Sequence, residues 1–172
     1  MIAIVNVSQH WGIGRRGQLL VRIPEDMAFF RRTTQGNAVV MGRETLRSLP
    51  GGKPLKHRDN YVLSREVGLM IPGAQVAGSI DELLRMTADL PQERVFVIGG
   101  ASVYRQLLPY CTRALVTQTI VPGANDADCF FPNLTETPGW RLTEASDQHQ
   151  HEGYLFSFCV YDNDSPAALA SR

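Results

Sequence analysis

Val95-Phe96-Val97-Ile98-Gly99-Gly100-Ala101-Ser102-Val103-Tyr104 is the stretch that decides the fold. Its four leading apolar residues read as a short strand buried on both faces, as in a parallel sheet covered by helices. Two glycines follow at the carboxyl end, where they let backbone approach a ligand closely. The helix behind them, running through Leu108, offers its first amides to a pyrophosphate. In an open α/β sheet this is where a dinucleotide binds.

Other segments repeat the strand pattern on either side. Ile2 to Val7, Ala38 to Met41 and Asn60 to Leu63 read as buried strands, the first interrupted by Asn6, which as a buried amide needs partners. Ala114 to Ile120, Arg141 to Ala145 and Tyr154 to Tyr161 supply further strands, the last two alternating as an antiparallel edge does. Ser79-Ile80-Asp81-Glu82 is a capping box opening a helix through Met86 to about Leu90, with Leu83, Leu84 and Met86 as core residues. The sequence reads as one α/β domain over residues 1–162, with 163–172 a disordered tail.

Ile23-Pro24-Glu25-Asp26-Met27-Ala28-Phe29-Phe30-Arg31-Arg32-Thr33-Thr34 reads as an amphipathic helix with Pro24 at its first position and Ile23, Met27 and Phe30 along one face. Asp26 sits at the edge of that face, near the positive end of the helix. It is either a solvated first-turn acid or a lone buried carboxylate that holds a cationic or hydrogen-bond-donating ligand. Before this helix, Ser8 to Gly17 forms a long glycine-punctuated loop, expected to be mobile and to act as a lid or binding loop. Gly12-x-Gly14-x-x-Gly17 matches the dinucleotide fingerprint in letters but not in context, because Gln18 to Ile23 separates it from any helix.

Phosphate chemistry is written elsewhere. Gly42, Arg43 and Thr45 follow the strand ending at Met41, and Ser64 and Arg65 follow Leu63; each set offers a hydroxyl and a guanidinium at a strand end. Lys53, Lys56, His57 and Arg58 make a basic loop, open to reading as solvated charge or as an anion site.

Composition excludes several classes. In 172 residues, 44% hydrophobic, 17 basic side chains balance 17 acidic ones, so nothing global favours nucleic acid or an anionic membrane. No apolar run reaches transmembrane length and Met1-Ile2-Ala3-Ile4-Val5 lacks the features of a secretory signal, which points to the cytoplasm. Cys111, Cys129 and Cys159 are expected as buried thiols, and His149-x-His151, placed in a polar turn, lacks the further ligands of a metal site.

The order of these pieces resembles dihydrofolate reductase. The resemblance rests on Gly12-Ile13-Gly14, Ile23-Pro24-x-Asp26-Met27-x-x-Phe30, Val40-Met41-Gly42-Arg43-x-Thr45, Leu63-Ser64-Arg65, Val97-Ile98-Gly99-Gly100-Ala101-x-Val103-Tyr104, Thr117 and Asp128-x-x-Phe131-Pro132, and it reaches to about Asp162. Asp at position 26 matches the bacterial form. The resemblance implies a mostly parallel eight-stranded sheet with an antiparallel edge, flanked by four helices, in a monomer that reduces 7,8-dihydrofolate to tetrahydrofolate with NADPH and is a target of antifolates.

It also implies roles. Asp26 is the catalytic carboxylate, accepting hydrogen bonds from the pterin and supported by Thr117. Val5, Asn6, Met27, Phe30, Leu49, Leu55 and Ile98 line the substrate site, and Arg58 holds the glutamate carboxylate of folate. Asn6, Ile13, Gly14, Leu19, Gly42, Arg43, Glu44, Thr45, Leu63, Ser64, Arg65 and the run Gly99, Gly100, Ala101, Ser102, Val103 and Tyr104 contact NADPH. Arg43, Ser64 and Arg65 take the 2′-phosphate, and the Gly99–Gly100 peptide is cis.

Two positions depart from the family pattern. Leu20-Val21 stands where the family has Pro-Trp, and Asn6 where it has a small apolar residue. The expected consequences are a changed water arrangement at Asp26, an altered pH dependence and weaker binding of trimethoprim. A related NADPH-dependent pterin or pyrimidine reductase, or a non-catalytic NADPH sensor, remains the alternative.

Overall fold

The computed structural model describes residues 1–123 and 126–169. In chain order the elements are β1 (Ile2–Ser8), β2 (Gly12–Arg15), β3 (Gln18–Leu19), α1 (Pro24–Thr34), β4 (Ala38–Gly42), α2 (Arg43–Ser48), β5 (Asp59–Leu63) and β6 (Ala74–Ala77). They continue with α3 (Ile80–Thr87), β7 (Val95–Gly99), α4 (Ala101–Leu107), β8 (Arg113–Ile120), β9 (Cys129–Phe130), β10 (Trp140–Ala145), β11 (His149–His151) and β12 (Tyr154–Asn163).

The main sheet has the order β10-β12-β8-β1-β7-β4-β5-β6, with β11 beside β12. Strands β8, β1, β7, β4, β5 and β6 pair in parallel, while β12 is antiparallel to β8, β10 and β11. The expected mostly parallel sheet with an antiparallel edge and four helices is present. Because strand side chains alternate, Ala3, Val5, Val7, Val40 and Val97 enter one core layer with Leu83 and Leu84 of α3 and Val103, Tyr104 and Leu107 of α4. Ile4, Val39, Met41, Val62 and Phe96 enter the other, against Leu46 of α2 and Phe29 and Phe30 of α1. The Tyr104 hydroxyl crosses between strands and donates to the Ile4 carbonyl at 2.7 Å.

Several expectations are corrected. The segment expected as an irregular lid forms a small second sheet, β3-β2-β9. Arg16 and Gly17 both have positive φ, 50° and 73°, which suits the two-residue turn of a hairpin. Asp128 anchors that sheet, its carboxylate accepting from the Arg16 amide at 2.7 Å and its own amide donating to the Gly14 carbonyl at 3.0 Å. Gly12 to Gly17 is therefore hairpin, and opens no helix. His149 and His151 lie in β11 rather than a turn; His149 stacks on Phe156 at 5.4 Å. Among the described residues no cluster of three or more His, Cys, Asp or Glu could hold a metal ion.

Residues 163–169 make several contacts with the main fold. Asn163 ends β12 and donates to the Cys111 carbonyl at 3.0 Å, the Ala167 amide donates to the Pro109 carbonyl at 2.8 Å, and Leu169 packs on the core. Residues 170–172 lie outside the described residues. Strands β6 and β11 and the hairpin β2–β3 were not anticipated, since short edge strands carry little periodic signal.

Cys111 and Cys159 are buried as expected, but Cys129 is exposed because β9 belongs to the small sheet, off the main core. Burial pushes the Cys111 thiol up to about 12, which keeps it protonated and inert. A thiol reagent at neutral pH should therefore modify Cys129 alone in the native protein and all three cysteines in denaturant, as mass spectrometry would read directly.

Candidate active site

Asp26 lies in the first turn of α1, with Pro24 at the first helical position and no side chain capping the end. The parallel register of β1 on β8 sets Asn6 opposite Thr117 and Ser8 opposite Thr119. Asn6, Thr117 and Thr119 therefore share the sheet face that meets α1. Thr117 Oγ1 donates to Asp26 Oδ1 at 2.6 Å and Asn6 Nδ2 donates to Asp26 Oδ2 at 3.0 Å. Thr119 Oγ1 donates in turn to Asn6 Oδ1 at 2.8 Å. Thr117 and Thr119 are 2% and 1% exposed, so water competes little for these bonds. Burial raises the Asp26 pKa above the ordinary aspartate value, while the hydrogen bonds from Thr117 and Asn6 pull it back. Asp26 is a partly buried carboxylate with both oxygens hydrogen-bonded, which favours the ligand-holding reading over the solvated first-turn acid.

Phe30, one turn after Asp26, comes together with Leu49, Leu55 and Ile98 as partly buried side chains on one core layer. Met27 is 40% exposed and Phe30 half-buried, so the apolar face of α1 is not closed by protein. Val5 is not brought into this group: alternation along β1 sends its side chain into the other layer, and Asn6 is the β1 side chain that faces Asp26. Arg58 is fixed at the carboxyl end of α1, donating from Nε to Thr34 Oγ1 at 3.2 Å, from Nη1 to the Lys56 carbonyl at 2.7 Å and from Nη2 to the Arg31 carbonyl at 3.4 Å. Its charge is thus presented on a rigid stem, which separates it from the solvated residues of the same loop.

The glycine-rich strand ends of β4 and β7 meet. A Cβ on Gly42 would stand 3.1 Å from Val103 Cγ2, and one on Gly100 3.3 Å from Thr45 Oγ1, contacts tighter than side chains ordinarily make, so this close approach favours glycine. The Gly99–Gly100 peptide is cis. Gly42 and Gly100 are the N-caps of α2 and α4 and place no side chain over the first-turn amides; Ala101 and Ser102 open α4. Arg43 pairs with Glu66 at 3.1 Å, and Ser64 Oγ accepts from the Glu66 amide at 3.3 Å. Arg65 is exposed and has no carboxylate partner among the described residues. Glu44 pairs with Arg47 on the surface, Leu63 and Ile13 are partly buried against the core, and Leu19 is exposed in β3 beside Gly14.

The fold thus carries a hydrogen-bonded carboxylate, an apolar wall, a fixed guanidinium before the amino end of β5 and a glycine-lined cradle at the carboxyl ends of β4 and β7. The family model for dihydrofolate reductase matches residues 1–163. The chain belongs to the dihydrofolate reductase family. Its relatives include dihydrofolate reductase of Mycobacterium tuberculosis, 44% identical over 87% of this chain and 89% of that protein. The Mycobacterium leprae reductase is 46% identical over 73% of this chain and 76% of its own length, and the Bacillus subtilis reductase 31% identical over 87% and 86%.

Within this family frame both departures acquire a structure. Val21 is 8% exposed and packs with Ile23 and Phe156. Asn6 binds the carboxylate directly. Three contributing residues escaped sequence reasoning. Thr119 lies two positions beyond Thr117 on the same strand face, a periodicity that could have shown it. Asn60 ties the basic loop together, accepting from the Leu55 amide and donating to the Leu55 and Arg58 carbonyls. Glu66 became visible only once the β5 loop was folded against Arg43.

Because burial raises the folded-state pKa of Asp26, its favourable contribution is full below the unfolded pKa and is lost as pH rises through the folded pKa. At neutral pH the ionised carboxylate costs stability. Asp26→Asn should raise Tm at pH 7 by about 2–4 °C, with a smaller gain near pH 4, measured by calorimetry at both values.

Proposed function

We propose that the chain reduces 7,8-dihydrofolate to tetrahydrofolate with NADPH, supporting one-carbon metabolism and thymidylate synthesis as a cytoplasmic monomer. The observation that carries this reading is Asp26, a carboxylate with both oxygens held by neutral donors beside an apolar wall. Such a carboxylate accepts hydrogen bonds from the amidine-like edge of a pterin and orients the ring. It also favours positive charge on that ring, and in a partly desolvated site this electrostatic effect is much stronger than in water. Raised basicity of the adjoining ring nitrogen follows. Phe30, Leu49, Leu55 and Ile98 cover the apolar faces of the substrate and exclude water, while Arg58 takes the glutamate carboxylate through charge-assisted hydrogen bonds.

The residues present fit NADPH. The cradle at Gly42, Gly99 and Gly100 is one that an added Cβ would fill, and its helix N-termini carry no side-chain caps. Thr45 and Ser102 add hydroxyls there. Arg43, Ser64 and Arg65 supply the donors for a 2′-phosphate. When bound, NADPH supplies the hydride.

Two measurements test this. Purified protein should oxidise NADPH only with dihydrofolate present, and Asp26→Asn should lower turnover at pH 7 by about 10²–10⁴-fold while NADPH still binds. NADPH binding without oxidation in the wild-type protein would point to a sensor or another reductase instead. Arg65→Ala should weaken NADPH by about 10-fold or more and leave NADH nearly unchanged, read by fluorescence titration. The small Val21 and polar Asn6 support weaker trimethoprim binding, which Val21→Trp should partly restore.

A further inference from the structure

We infer that Asn6 and Thr119 form a positioning relay that holds Asp26 ionised and in a fixed orientation, Asn6 touching the carboxylate and Thr119 acting through Asn6. The inference deepens the reductase reading and rests on it for its consequence in turnover.

A carboxamide has a donor end and an acceptor end, and which end faces a carboxylate decides the sign of the effect. With Nδ2 turned to Asp26 the amide stabilises the anion; with Oδ1 turned to it, only the protonated acid could bond. The carboxylate settles the choice, because an ionised Asp26 only accepts: Nδ2 meets Asp26 Oδ2 at 3.0 Å, and Oδ1, turned away, takes the proton of the Thr119 hydroxyl at 2.8 Å. Thr119 is 1% exposed, so water cannot readily take its place. Thr117 holds the other oxygen, Oδ1, at 2.6 Å. Two neutral donors from neighbouring strands thereby clamp one carboxylate, and Asp26 has no ion-pair partner among the described residues.

The surrounding charged groups do not compete with this assignment. On α1, Glu25 turns to His151 at 3.7 Å, and Arg22, which precedes the helix, is exposed. On α4, burial keeps the Tyr104 phenol neutral, and its hydroxyl donates to Ile4. Strands β1 and β8 offer Asp26 only Asn6, Thr117 and, through Asn6, Thr119. Thr119 alone is a positioning residue in the strict sense, since its contact is with Asn6 and not with the carboxylate.

The test is the titration of the Asp26 carboxyl carbon, followed by ¹³C NMR in the full-length, ligand-free protein, for the wild type and for Asn6→Ala, Thr119→Val and Thr119→Ser. The midpoint should rise by about one pH unit in Asn6→Ala, a tenfold gain in proton affinity. It should rise less in Thr119→Val and stay at the wild-type value in Thr119→Ser, where the hydroxyl is kept. The acid limb of NADPH-dependent dihydrofolate turnover should move with it. An unchanged midpoint in Asn6→Ala or in Thr119→Val, in protein with the wild-type near-ultraviolet circular dichroism, overturns the relay. The Thr119 pair keeps the test decisive if Asn6→Ala does not fold. Expected midpoints in a wild-type protein that fails to turn over dihydrofolate would sustain the relay and overturn the reductase reading.

Discussion

Everything at the site depends on the parallel register of β1 on β8. That pairing puts Asn6 opposite Thr117 and leaves Thr119 one alternation further along the same face. A slip of one residue would turn all of β1's inward side chains to the other core layer, with Asn6 among them. The carboxylate that α1 lowers onto this face would then keep Thr117 on one oxygen but lose the Asn6 donor to the other, a costly arrangement for a partly buried charge. Register, hydrogen bonding and the ionisation of Asp26 are therefore one constraint seen at three scales.

The sheet serves a second purpose at its other functional strands. Strands β4 and β7 lie side by side in parallel and both end in glycine, so α2 and α4 start close together around Thr45. Parallel strands bring like ends together, and here they bring two helix starts and two strand ends to the same edge as Asp26. The small sheet β3-β2-β9 folds over the end of β1 through Trp11, whose ring stacks on Phe131 at 6.2 Å and whose carbonyl accepts from the Phe131 amide. Asp128, in the segment matched to the family, secures it through the Arg16 amide.

Most of the fold was legible in the chain. Strands buried on both faces appear as continuous apolar runs, and β1, β4, β5, β7 and β8 were all readable that way. The capping box at Ser79 predicted the start of α3, where Ser79 Oγ accepts from the Glu82 amide at 3.1 Å. The helix ends at Thr87, short of the expected Leu90, and Gln92 Nε2 donates to the carbonyls of Thr87 and Leu90. Edge strands β6 and β11 were not legible, because four and three residues are too short to show a period, and those of β11 are polar. The thiol of Cys129 was misjudged for the same reason, since nothing local distinguishes a strand in a satellite sheet from one in the core.

By itself, the sequence determined the fold class and the glycine-lined strand ends, because these follow from apolar periodicity and glycine placement within short windows, whereas for Asp26 those patterns left two readings open and the family resemblance chose between them. Tertiary structure alone decided what Asn6 does. Its partners are 20 and 113 residues away, and a side-chain hydrogen bond leaves no periodic trace in the chain. An amide that read as an intrusion into an apolar strand becomes a donor once α1 supplies the acceptor Asp26 and β8 the Thr119 hydroxyl behind it, since the direction of a hydrogen bond is fixed only when all its partners are in place.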